Sequence, residues 1–306
     1  MPNRPIPAIP FGARSTAEEV LAGLDLAGRT ILITGCTAGI GFETMRALAA
    51  HGAHVIGLAR SESAAREAAV RAGGRITPVA CDQGDLASID AAVATVRGLG
   101  LTLDAIIANA GVMGAPKVER IQGVEKQFWV NHVAHARLIE GLLDRLPDGS
   151  GRIVLVSSAA SIGMAPRAGI LFDDLDGAKA YKAMRFYGQS KLANALHAVE
   201  LSRRLAGRGI AANALHPGVI LGTRFLRNMA GPIRLLARLL GGLGKTIPQG
   251  AATQTLLAAS PLAEGLTGLY WSDCRPAQGS RHLADAAMAS ALWTATEAIL
   301  ARAEAA

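Results

Sequence analysis

Residues 29–52 read RTILITGCTAGIGFETMRALAAHG, and this stretch restricts the fold more than any other part of the chain. Its first seven residues are a short β-branched run ending in Gly35, the pattern of a strand buried on both faces. Gly35, Gly39 and Gly41 then turn the chain into a helix expected over 40–52, which stops at Gly52. Glycine at a strand-to-helix turn permits unusual backbone angles and brings the backbone close to a pyrophosphate at the helix N-terminus. The spacing is GxxxGxG rather than GxGxxG. Dinucleotide binding is therefore expected; the competing reading is a turn that only packs a helix tightly on a strand.

The alternation continues. Strands are expected at 54–59, 75–81, 103–111, 151–159, 210–218 and 266–272. Helices are expected at 63–74, 85–100, 121–146, around 187–206 and near 249–259. A short helix should start after Ser15, with Glu18 completing a capping box. Such an order predicts an α/β fold, a single doubly wound Rossmann-type domain whose parallel sheet is flanked by helices on both faces. No proline- or glycine-rich linker divides residues 1–306; 1–27 reads as an N-terminal extension and 222–248 as a region over the substrate. The 50% hydrophobic content supplies a core, and 18% charged residues argue against disorder.

The net charge of +7 favours anionic ligands, but the basic residues are dispersed without interleaved aromatics, which argues against nucleic acid. Cys36, Cys81 and Cys274 form no CxxC pair and suit a reducing compartment. No apolar run reaches the ~18 residues of a membrane span, and the proline-rich start lacks a signal-peptide core. A cytoplasmic protein without stable membrane insertion is expected. The histidines show no metal-ligand grouping, and no metal site is expected.

At the end of the second strand an NAD-type site would carry a carboxylate. Here Ala59 and Arg60 stand instead, and a guanidinium suits a 2′-phosphate. NADP(H) is the expected cofactor, with NAD(H) the alternative and a solvated loop Arg60 the plainer reading. Further on, YGQSKLAN (187–194) sets Tyr187 and Lys191 on one face of a helix, one turn apart. A positive charge about 5 Å from a phenol favours phenolate by roughly 3 kcal/mol at an effective dielectric of ~20, or about two pKa units. The pair is a candidate acid–base device. Tyr181 has no lysine four residues later.

TGCTAGIG (34–41), CD (81–82), NAG (109–111), VNH (130–132), VSSA (156–159), YGQSK (187–191) and HPG (216–218) stand in the order of the short-chain dehydrogenase/reductase family, which the chain resembles over nearly its whole length. STAEEVLAGLDLAGRT, YGQSKLAN, NALHPGVI and SDC are similar to its retinol dehydrogenase and WW-domain oxidoreductase branch. The resemblance implies a catalytic set of Tyr187, Lys191, Ser158 and Asn131. Tyr187 would exchange the proton while Lys191 binds the nicotinamide ribose and lowers the tyrosine's pKa. Ser158, preferred to Ser157, would bind the substrate oxygen, and Asn131 would hold a water leading from Lys191 to solvent. It implies cofactor contacts from Gly35, Thr37, Gly39, Ile40, Gly41, Arg60, Asp82, Gln83, Asn109, Ala110, Gly111, Tyr187, Lys191, Pro217, Gly218, Val219 and Thr223. It further implies a homodimer or homotetramer joined through the helices at 121–146 and 187–206.

Three places depart from the family pattern. Gln83 replaces an apolar residue after Asp82, NHVAHARL lacks a usual glycine, and Thr223 stands one position late after HPG. Residues 225–246 include IRLLARLL, an apolar candidate lid, with 169–186 as a second wall. The expected activity is hydride transfer between a nicotinamide and a lipophilic alcohol, aldehyde or ketone. The alternatives are a non-catalytic NADP(H)-binding sensor on the same fold and a related isomerase or dehalogenase.

Overall fold

The computed structural model describes residues 5–220 and 244–305. The expected lid is therefore largely outside the described residues, and Thr223 is wholly so. Seven strands form one parallel sheet in the order β9-β8-β7-β4-β1-β2-β3, with β10 added antiparallel beside β9. They are β1 (Thr30–Thr34), β2 (His54–Ala59), β3 (Ile76–Ala80), β4 (Ala105–Ala108), β7 (Arg152–Val156), β8 (Ala211–His216), β9 (Tyr270–Ser272) and β10 (Arg275–Pro276). β1, β2, β4 and β7 are buried at every position. In β1 the pleat sends Ile31 and Ile33 into one layer and Leu32 into the other, so one strand feeds both cores. The chain winds from β1 outward to β3, then returns to place β4 on the other side of β1. That reversal opens a crevice at the C-terminal ends of β1 and β4, where ligands of such sheets bind.

The helices packed on the sheet are α1 (Ala17–Leu21), α2 (Gly39–Ala50), α3 (Glu62–Ala72), α4 (Leu86–Gly98), α8 (Ala183–Arg204), α9 (Ile247–Ala259) and α10 (Ala286–Glu304). The first begins one residue later than expected. Thr16 and Glu19 make the capping box, because the Ser15 hydroxyl already accepts from the Gly12 amide.

The single helix expected over 121–146 is not formed. Residues 120–125 are a hairpin, β5 (Arg120–Ile121) and β6 (Val124–Glu125), turned by Gln122 at φ 50° and Gly123 at φ 74°. Helix follows as α5 (Lys126–Phe128), a π-helical turn over Trp129–Val133 and α6 (Ala134–Glu140). The strand expected at 266–272 is only the three residues of β9, and the short α7 (Ala160–Gly163), β10 and α10 had no sequence counterpart.

α10 covers part of the helices expected to carry the subunit contact. It lies along α8 through Leu292, Thr296, Ile299 and Leu300, and Thr296 hydrogen-bonds His132 at 2.9 Å. Residues 186–198 and 127–136 are buried at every position, leaving those stretches no free face for a partner. Among the described residues no helix is long and apolar enough to cross a membrane.

Candidate active site

The turn after β1 is held against β2, with the Gly35 and Cys36 amides donating to the Leu58 carbonyl at 2.9 and 3.3 Å. Gly35 and Gly39 have φ of 72° and 62°, conformations that side chains other than glycine's strain to adopt. A Cβ on Gly41 would stand 2.3 Å from the Gly35 carbonyl oxygen and 2.4 Å from Asn109 Nδ2, so α2 begins in contact with the 109–111 turn. Thr34 joins the same pieces, its hydroxyl accepting from the amides of Asn109 and Ala110 at 3.0 and 2.9 Å. Thr16, Ser61, Asp85, Thr246 and Asp285 cap α1, α3, α4, α9 and α10, whereas Ala38 gives α2 no side-chain cap. Thr37 and Ile40 lie half-buried in this turn, and Arg60 is exposed beyond β2.

Asp82 Oδ1 accepts from the Gly84 amide at 2.8 Å, so that carboxylate shapes its own loop. Gln83 is buried, and both polar atoms of its side chain lack a partner. Asn109 Nδ2 donates to the Thr34 carbonyl at 2.8 Å, while its Oδ1 is buried without a donor.

Tyr187 and Lys191 occupy successive turns of α8, 8% and 4% exposed. Lys191 Nζ lies 5.9 Å from the Tyr187 ring centroid and donates to the Val156 carbonyl at 3.0 Å. The two serines after β7 diverge. Ser157 donates to the Lys191 carbonyl at 2.6 Å, whereas the Ser158 hydroxyl accepts from the Ala160 amide at 3.2 Å and lies near enough to the Tyr187 phenol to influence it. Asn131, in the π-helical turn, accepts from the Val112 amide at 2.7 Å and donates to the Val112 carbonyl and Ser190 hydroxyl, both at 2.9 Å. A Cβ on Gly111 would meet Asn131 Oδ1 at 3.0 Å and Lys191 Nζ at 3.3 Å, so the 109–111 turn borders the catalytic candidates directly.

Burial pushes the Tyr187 phenol above its ordinary value; the nearby Ser158 hydroxyl opposes this and Tyr270 adds to it. Burial brings Lys191 down to about 8. Desolvation, the largest influence on the phenol, raises it, the opposite of the direction expected from Lys191. Tyr181 is a strut, donating to the Ala115 carbonyl at 2.6 Å.

His135 belongs to the site although nothing in its spacing singled it out. Its Nδ1 faces the Asn131 carbonyl at 2.9 Å and its Nε2 the Thr34 hydroxyl at 2.9 Å. A carbonyl only accepts, so the network assigns the proton to Nδ1 and makes Nε2 the acceptor from Thr34. Burial holds this imidazole down at about 4, hence neutral. His216 likewise accepts from the Ala159 amide at 3.1 Å and sets the loop carrying Ser158 beside Pro217, Gly218 and Val219. Val219 is 62% exposed, and its carbonyl accepts from the Lys245 amide. Lys245 pairs with Asp273 at 2.6 Å. No group of three or more His, Cys, Asp or Glu among the described residues is arranged to hold a metal.

Comparison with known proteins agrees with this geometry. Residues 29–170 match the family model described as short chain dehydrogenase. The chain is 37% identical to short-chain dehydrogenase TIC 32 B, chloroplastic, of Brassica napus, over 92% of both chains. It is 33% identical to the WW domain-containing oxidoreductase of Gallus gallus, over 98% of this chain and 74% of that one. Among solved structures, angucycline C-6 ketoreductase LanV with bound NADP superposes with a TM-score of 0.64 at 28% identity, covering 80% of this chain and 94% of that one. The chain belongs to the short-chain dehydrogenase/reductase family and is an NAD(P)-dependent oxidoreductase of it.

Proposed function

We propose that this enzyme transfers hydride between NADP(H) and a lipophilic alcohol, aldehyde or ketone, with Tyr187, Lys191, Ser158 and Asn131 as its catalytic set. The observation that carries the reading is a buried Tyr187 phenol, raised by its burial, one helical turn from Lys191 and close enough to Ser158 to be influenced by it. Tyr187 and Ser158 offer two O–H groups to one substrate oxygen. In reduction the Tyr187 hydroxyl gives its proton to that oxygen, and the Ser158 hydroxyl stabilises the charge gathering there. Lys191 would meet the nicotinamide ribose, while Asn131 fixes the Val112 backbone. A phenol held above its usual pKa carries its proton at neutral pH, the state in which it enters a reduction.

The residues suit a dinucleotide. Uncapped amides at the start of α2 fit a pyrophosphate, and the orphaned Asn109 Oδ1 fits a ribose hydroxyl, with Gly35, Thr37, Gly39, Ile40, Gly41, Ala110 and Gly111 forming the floor. When bound, the nicotinamide supplies or takes up the hydride. Arg60 without an acidic neighbour at the end of β2 favours the 2′-phosphate form, as does the NADP carried by the ketoreductase. Asp82 and Gln83 would border the adenine, and Pro217, Gly218, Val219 and Thr223 the nicotinamide.

A lipophilic substrate is favoured by Ile162, Met164, Phe172 and Val219, four of the seven exposed large hydrophobics among the described residues. The backbone of residues 160, 164 and 165 lies on Gly188, the residue after Tyr187, so the segment carrying Ile162 and Met164 packs on the helix of the proposed catalytic phenol. The proposed organisation is one domain over 1–306, with 222–248 over the substrate and 1–27 as an extension. A cytoplasmic homodimer or homotetramer would have to pair through surfaces other than residues 186–198 of α8. Titration with NADPH and NADH, followed by assays on lipophilic aldehydes and ketones, tests the reading. Tight NADPH binding with turnover abolished in Tyr187→Phe is expected; retained turnover in that variant would remove Tyr187 from the mechanism.

A further inference from the structure

Arg71 closes the last turn of α3 and is exposed, yet its side chain folds back onto α2. The guanidinium lies 4.3 Å over the ring of Phe42 in α2, and Nη2 donates to the Thr37 carbonyl at 3.0 Å. Thr37 sits in the middle of the glycine turn, whose intervening residues Cys36, Thr37 and Ala38 include no basic side chain. The same turn is bonded to Leu58 in β2, two residues before Arg60. Two helices thus hold a guanidinium on the glycine turn, which borders β2 at Leu58; the end of that strand is where a site of this kind distinguishes the two cofactors at the ribose 2′ position. None of the ion pairs among the described residues involves Arg60 or Arg71.

We infer that Arg71 is a second cation for the 2′-phosphate of NADP(H), delivered from α3 onto the glycine turn and acting with Arg60. This inference rests on the NADP reading above and gives it a second, independent residue. A guanidinium has five donors in one plane. The Phe42 ring takes one face and Thr37 takes one N–H, which leaves donors free and the plane already oriented. Orientation before binding reduces what the phosphate must order when it arrives. The alternative role is a brace that ties α3 to the turn and never meets a ligand.

Dissociation constants separate the two without any turnover assay. Wild type, Arg60→Ala, Arg71→Ala and Phe42→Leu are each titrated with NADPH, NADH, 2′,5′-ADP and AMP, with the unfolding midpoint recorded for each. Arg71→Ala is expected to weaken NADPH and 2′,5′-ADP by about tenfold or more while NADH and AMP stay within about twofold, the scale of a lost hydrogen bond to a charged group. Phe42→Leu, which frees the guanidinium to swing, should show the same selectivity with a smaller loss. Equal weakening of NADPH and NADH by Arg71→Ala would make it a brace, and no change in either would leave it without a role; both overturn the inference. If wild type prefers NADPH and loses that preference with Arg60→Ala but keeps it with Arg71→Ala, only the inference fails. A wild type that favours NADH removes the cofactor reading and the inference together.

Discussion

Lys191→Met should make this enzyme more stable while abolishing its turnover. Burial lowers the Lys191 ammonium from 10.5 to about 8. A displacement of that size corresponds to about 3 kcal/mol of destabilisation when the folded chain must carry the charge. The direction follows from proton counting. The folded pKa lies below the unfolded one, so between about pH 8 and 10.5 the unfolded chain binds more protons and stability rises with pH. Below 8 the full penalty is present. Integrating the two titrations gives about 3 kcal/mol at pH 7 and roughly half that at pH 9.5. Methionine matches the stem in length, and the Val156 carbonyl is not orphaned by the change, because Asn194 Nδ2 also donates to it at 3.2 Å. Denaturant unfolding of the cofactor-free variant and wild type, compared at matched pH values, isolates this residue from every other group that titrates in the range. The variant should be the more stable at pH 7, by about 1–3 kcal/mol once relaxation is allowed for, with the gap narrowing towards pH 9.5. A variant less stable at pH 7, or a gap that does not change with pH, would refute the reasoning.

Three further outcomes can be checked. Ser157→Ala should cost about 1 kcal/mol of stability, from its bond to the Lys191 carbonyl, and leave turnover within a few-fold. Ser158→Ala should do the reverse, cutting kcat about a hundredfold on the scale of a lost oxyanion donor with little change in the unfolding midpoint. For kcat/KM of carbonyl reduction, which reports the free enzyme, the rate should hold through neutral pH and fall above about 8 as Lys191 loses its proton; a profile flat to pH 10 would contradict the Lys191 value. His135→Phe removes partners from the Asn131 carbonyl and the Thr34 hydroxyl and should cost about 1–3 kcal/mol. Phenylalanine accommodated without loss in a denaturant titration would mean that the carbonyl and hydroxyl find other partners.

What the sequence made legible was whatever its own neighbours determine. β1, the glycine turn and the Tyr187–Lys191 spacing depend on residues within a few positions, and β2 runs over the 54–59 read from its apolar residues. The start of α1 slipped by one residue because two hydroxyls, Ser15 and Thr16, compete for the same turn, and only the distant placement of Gly12 decides between them. The Gln122–Gly123 hairpin hid inside a helical pattern because the apolar positions on either side continue a period of 3.6 across it. α10 was invisible for a related reason: alanine occupies so many of its positions that the buried stripe of Leu292, Thr296 and Ile299 has no polar face to contrast with.

The charges are the hardest case, because their behaviour belongs to the assembled fold. Sequence spacing gave Lys191 the power to lower the Tyr187 pKa by a Coulombic attraction worth about two units in a moderately polar medium. The fold places both groups almost wholly out of water, which raises the phenol and lowers the ammonium at the same time. Each group is moved towards its neutral form, so proton exchange between the substrate oxygen and the protein is brought nearer to balance from both sides. Burial raises a phenol that is already protonated at neutral pH and destabilises the ammonium beside it, and it is this second effect that Lys191→Met should relieve. A variant that gained stability and kept its turnover would break the link between that buried charge and catalysis.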